Sequence, residues 1–170
     1  AMARLEGVDV SHTDLTWQQA ETVCANMCSG DIQLKSLKMA GTDLSSVDPD
    51  LLARAVSRLE QVDLRATGLT GQQAEAILTA VRAADSQLRT LDLAGNDLSS
   101  VEPGLLAEAV NLLEEVVINF TQLSRAQTEA ILARSLEKTS LGRLEMEGVR
   151  GGVGEELGRR AGEVISILKL

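Results

Sequence analysis

The sequence predicts an α/β fold: a right-handed solenoid bent into a horseshoe arc, with six parallel strands on the concave face and helices on the convex face. Three observations predict it. A five-point apolar spacing recurs six times along the 170 residues. Each copy opens with a short alternating stretch and runs on into apolar positions at helical spacing. There are 27 leucines but one Trp, one Phe and no Tyr, so the core must be aliphatic and built from equivalent positions. One such copy cannot bury its own apolar edge, whereas a stack of them can.

The first copy is Leu5, Val8, Val10, Thr13 and Leu15. The same spacing returns at Leu34, Leu37, Met39, Thr42 and Leu44, and at Leu59, Val62, Leu64, Thr67 and Leu69. It follows again at Leu88, Leu91, Leu93, Asn96 and Leu98, and at Leu113, Val116, Ile118, Thr121 and Leu123. A weaker last copy is Leu141, Leu144, Met146 and Val149. Long and short repeats alternate, so the unit of duplication is a pair: residues 34–86 and 88–140 align without a gap, 54 residues apart, and are about half identical. The reading is one domain over 3–168, with repeats starting near 5, 34, 59, 88, 113 and 141.

Within each repeat, a pattern such as Leu91-Asp92-Leu93 makes a strand with leucines on the core side and Asp92 outside. The Thr or Asn that follows sits where the chain turns, and its side chain can bond the turning backbone. Long repeats then carry a helix with Ala74, Ile77, Leu78 and Val81 inward and Gln73, Glu75, Thr79 and Arg82 outward. Short repeats place Pro49 and Pro103 at a helix's first turn, with serine runs ahead of them as caps. A closing helix over about 154–168, through Leu157, Ala161, Val164, Ile165 and Leu168, covers the end of the core. Ala1-Met2 and Lys169-Leu170 are left outside this scheme.

Composition narrows the function. Sixteen bases against 25 acids give a net charge of −9, so nucleic acid and an anionic membrane surface are not expected partners. No apolar run is long enough to span a bilayer. Cys24 and Cys28 share one helix, with His12 on the strand side, which makes no metal site; no cofactor and no catalytic residue are expected. Free thiols fit a reducing, cytoplasmic compartment. Asn119-Phe120-Thr121 is a glycosylation sequon inside a tight turn, where modification is disfavoured. Trp17 replaces Gly71 and Arg125 of the matching repeats and is read as cover for the open N-terminal end of the stack, or as packing on a missing repeat, rather than as a ligand contact.

The spacing L-x-x-L-x-L-x-x-N/T-x-L resembles the leucine-rich repeat family. The alternation of long repeats with helices is similar to its ribonuclease-inhibitor-like subclass, which includes the ligand-sensing ends of NOD-like immune receptors. The resemblance implies a non-catalytic protein-binding module, a segment of an intracellular receptor or adaptor in innate immunity, acting as a monomer through its concave strands. The alternatives are a GTPase-regulating relative and a scaffold without a native ligand. Carried onto this sequence, the solvent-facing positions to weigh are Asp63, Arg65, Asp92, Glu115, Val117, Asn119, Phe120, Arg143 and Glu145. Val117 and Phe120 fall where other repeats carry polar or small residues. Phe120 either anchors a partner or folds over the turn onto the next repeat, the second being the simpler reading. Asp63, Arg65 and Asp92 are most simply a solvated face; if they bind, the partner presents lysine or arginine, on a basic or mixed-charge surface.

Overall fold

A computed structural model of the chain describes residues 6–29, 33–137, 139–149, 155–164 and 167–170. Three-residue strands open the repeats: β1 (Gly7–Asp9), β2 (Ser36–Lys38), β3 (Gln61–Asp63), β4 (Thr90–Asp92), β5 (Glu115–Val117), β6 (Arg143–Glu145) and β7 (Ile167–Lys169). They form one open parallel sheet in chain order, in a register that aligns Val8, Leu37, Val62, Leu91, Val116, Leu144 and Leu168 in a single row. From β2 to β6 that row is buried, as are Met39, Leu64, Leu93, Ile118 and Met146 two residues on. Helices alternate with the strands: α1 (Trp17–Cys28), α2 (Pro49–Ser57), α3 (Gly71–Val81), α4 (Pro103–Leu112), α5 (Arg125–Glu137) and α6 (Glu155–Val164). One continuous aliphatic cluster runs from Ala20 of α1 to Ala161 of α6.

One strand differs from the sequence reading at the far end. The sheet has seven strands rather than six, and Leu168 lies in β7, paired with Leu144, instead of on a closing helix. The described helix covers Glu155–Val164, and Leu168 and Leu170 repeat the spacing of Leu91 and Leu93. Leu157, Val164 and Ile165 fall outside the described side chains.

The turns behave largely as their residues dictate. Thr67 and Thr121 donate their hydroxyls to the carbonyls of Leu64 and Ile118, and Thr13 does the same to Val10. Asn96 does more: its Nδ2 donates to the Leu64 and Leu93 carbonyls at 2.8 and 3.0 Å, while its Oδ1 accepts from the Thr67 and Leu69 amides. The buried Thr42 hydroxyl makes no such bond, the turn being closed by the Thr42 amide on the Met39 carbonyl. Just before this residue every repeat passes through the left-handed region: His12, Gly41, Ala66, Gly95, Phe120 and Gly148 all have φ between 50° and 74°.

Gln73 is buried, not outward. Its Oε1 accepts from the Thr70 amide in a capping box, and its Nε2 donates to the Leu44 and Val47 carbonyls of the preceding repeat at 2.6 and 2.7 Å. Gln127 repeats this on Leu98 and Val101. The short helices are capped by Asp48 and Glu102 directly before the prolines rather than by the serines. Asp43 and Asp97 accept from the amides of Ser45 and Ser99, and so shape the loops the serines occupy. Trp17, 41% exposed, opens α1. A Cβ built on its counterpart Gly71 lies 3.3 Å from the Cβ of Ser100, so this position faces the following repeat rather than the open end.

Candidate functional site

On the sheet's exposed face the third residue of each strand stands in register with its neighbours: Asp9, Lys38, Asp63, Asp92, Val117, Glu145 and Lys169 form one row. Short parallel strands hold these side chains about 4.8 Å apart, close enough for each charge to feel the next. The residues singled out from the sequence separate into two ionic clusters with Val117 between them.

The first cluster is Asp63, Arg65 and Asp92. Arg65 grips Asp63 with both Nε and a terminal nitrogen, at 3.1 and 2.7 Å, and reaches Asp92 more loosely at 3.5 Å. This pairing raises the Arg65 pKa further above its usual value, chiefly through the hydrogen bond to Asp63. Asp92 is less well served. Burial pushes its carboxyl up to about 6, against the lowering effect of the Ala94 amide; Asp63 and Glu145 push in the same direction as burial, and Arg65 offsets part of it.

The second cluster centres on Glu145. It accepts from Arg143, from Asn119 Nδ2 at 3.1 Å and from Lys169 Nζ at 2.9 Å, and Arg143 also pairs with Glu115 at 3.3 Å. Lys169 first, then Arg143 and Asn119, hold the Glu145 carboxyl down at about 2. Lys169 is the residue that sequence reasoning missed, having been set aside as part of the tail; the repeated spacing of Leu168 and Leu170 was the signal that could have found it. Asn119 is fixed at both ends, its Oδ1 accepting from the Glu147 amide at 2.7 Å, so attaching a glycan to its Nδ2 would cost the bond to Glu145.

Phe120 stands at the rim of this face. Its ring lies over Gly148 of the next repeat, where a Cβ would approach Cε1 to 2.7 Å, so the simpler sequence reading describes its packing. Yet the residue remains 69% exposed, and it holds φ at 55° without being glycine. His12 over Gly41 has the same relation. Of the nine residues singled out, eight share the two clusters or the Val117 position between them, and Phe120 borders them.

The strand–turn–helix unit around Asp92 is also the part of the chain with a family counterpart. Residues 87–109 match the family model described as Leucine Rich Repeat. The match supports a leucine-rich repeat family. No curated protein matches the chain. Leucine-rich repeats generally serve as non-catalytic interaction modules with protein partners, and the matched segment carries Asp92 at the centre of the exposed face. Among the described residues, no helix is long and apolar enough to cross a membrane.

Proposed function

We propose that the chain is a protein-recognition module that docks its partner on the exposed sheet face, over Asp92, Val117, Asn119 and Phe120. The observation that carries this reading is Phe120: a large aromatic, mostly in solvent, kept in a backbone region that disfavours it. Strain of this kind costs on the order of 1–3 kcal/mol and collects at functional sites, and exposed aromatics are the residues around which interfaces centre. Beside it, half-buried Val117 offers an apolar floor, and Asp92 is held by its cation more loosely than Asp63, Glu115 or Glu145 is by theirs. A lysine or arginine of the partner, its stem on Val117 and its charge at Asp92, satisfies both.

The alternation of long and short repeats supports a ribonuclease-inhibitor-like arrangement, and with it a place in an intracellular receptor or adaptor of innate immunity. The half-buried free thiol of Cys28 fits a reducing compartment. We read the module as a monomer with a basic or mixed-charge protein partner and no nucleic acid. Arg65 and Arg143 are both held by carboxylates of their own face, which favours recognition over GTPase regulation.

Selection of a displayed peptide library on the immobilised chain tests this reading. Enriched peptides should carry lysine or arginine, and combining Phe120→Ala with Asp92→Ala should weaken them at least tenfold while the circular dichroism spectrum stays unchanged. Undiminished binding to the double variant refutes the site.

A further inference from the structure

Two carboxylates on the sheet face share one guanidinium. Asp63 and Asp92 are register partners on β3 and β4, where parallel strands hold side chains about 4.8 Å apart. Arg65 touches both, but unequally: hydrogen bonds of 3.1 and 2.7 Å bind it to Asp63, while its Nε stands 3.5 Å from Asp92. With both carboxylates ionised, these three groups carry one net negative charge. Across Val117 the sum is different, since Glu115 and Glu145 are balanced by Arg143 and Lys169. The geometry leaves the unbalanced charge on Asp92, whose side chain keeps 18% of its surface in solvent.

A carboxylate in this position is satisfied either by a proton or by a cation from outside. Its Oδ1 accepts from the Ala94 amide at 2.9 Å, which leaves Oδ2, the oxygen Arg65 barely reaches, for one or the other. The neighbouring strands supply nothing further. On the β3 side Asp63 repels and Arg65 is already engaged; on the β5 side the facing residue is uncharged Val117, with Glu145 of β6 repelling from beyond it. Lys38 of β2 stands in register with Asp63, one strand further away. Burial first, then the repulsion from Asp63 and Glu145, pushes the Asp92 carboxyl up to about 6, against the Ala94 amide and Arg65.

We propose that a proton and the partner's cation compete for Asp92, so that the sheet face releases its partner on acidification. This rests on the docking of a lysine or arginine at Asp92 and adds the regulation of that site. Protonated Asp92 offers the incoming side chain no charge, and the cation then sits beside Arg65 with nothing to balance it. Ionised Asp92 supplies the missing charge, so binding expels the proton. The apparent dissociation constant grows as the ionised fraction shrinks, and that fraction falls from nearly all at pH 7.5 to about a tenth at pH 5. His12, the one histidine of the sequence, rests on Gly41, two repeats before that of Asp92.

The probe is a cationic peptide enriched from the displayed library at pH 7.5, blocked at both ends and free of Asp, Glu and His, so that it does not itself titrate. Its dissociation constant on the wild-type chain should rise about tenfold from pH 7.5 to pH 5. Asp92→Asn fixes the neutral state; at pH 7.5 it should bind about as weakly as the wild type does at pH 5, and change less than about twofold between the two. In carboxyl-carbon NMR, Asp92 of the free chain should titrate near 6, and about one unit lower or more with saturating peptide. Equal affinity at both pH values, with binding still weakened by Asp92→Asn at pH 7.5, overturns the competition and leaves the docking site standing. So does a free-chain midpoint near 4, or a pH dependence that survives in Asp92→Asn. Undiminished binding to Asp92→Asn at pH 7.5, or a selection that enriches no cationic peptide, overturns both.

Discussion

Asp92 and Glu145 stand on the same face, either side of Val117, and titrate in opposite directions. Asp92 is pushed up to about 6, so its neutral form is favoured in the folded state. Its contribution is fully present below an unfolded value near 3.8 and is lost as pH rises through about 6. Glu145, held at about 2, contributes above its ordinary 4.5 and loses that contribution as pH falls toward 2. Asp92→Asn keeps an acceptor for the Ala94 amide and removes the confined charge. It should stabilise the protein by about 1–3 kcal/mol at pH 7.5, with the gain disappearing below about pH 4, in urea titrations across that range. Phe120 supplies a second residue-scale prediction. Phe120→Gly relieves a φ of 55° and forfeits the contact with Gly148, so stability should change by less than about 1 kcal/mol while partner binding falls. Gly148→Ala, at φ 69° and in contact with the ring, should cost about 1–2 kcal/mol, part of it recovered in the double variant with Phe120→Gly.

Turns and caps join neighbouring elements through a few buried polar side chains. Asn96 ties two repeats together through bonds to the Leu64 and Leu93 carbonyls and from the Thr67 and Leu69 amides, whereas the Thr121 hydroxyl closes only its own turn. Asn96→Ala should therefore cost about 3 kcal/mol by chemical denaturation, and Asn96→Thr roughly half of that, since a threonine can keep the local bond. Gln127→Ala should cost about 2–3 kcal/mol, because the Val101 carbonyl loses a donor in a dry interior. At this scale the sequence was legible where an apolar period governs: the leucine rows are where the spacing put them. It misled where one polar residue serves two elements. Gln73 looks like a surface residue on a helical wheel, and only the carbonyls of Leu44 and Val47, 29 and 26 residues away in the chain, make it an interior one. The sheet-face residues were legible as a row because strand alternation fixes their side. Their ionic partners were not, since pairing depends on side-chain reach across strands; Lys169 was lost for the further reason that a single partial copy of the pattern is weak.

Taken whole, the sheet spans seven strands, about 29 Å at about 4.8 Å per step. A recognition face of that width and three to five residues' depth offers on the order of 400 Å², about half of what a standard interface contributes from each partner. Tight binding through this face would draw on the rim as well, which is where Phe120 lies. The left-handed position has a consequence of its own for the array. Long repeats carry a side chain there and short repeats carry glycine, so His12 rests on Gly41, Ala66 abuts Gly95, and Phe120 covers Gly148. The stack thus has a parity: odd members need even neighbours. Excising residues 88–112 alone would seat Ala66 against Phe120, replacing a glycine neighbour by an aromatic one. Excising a full pair keeps every such contact matched. Removing repeats by twos therefore preserves the alternation of side chain and glycine at this position, which removing one would break.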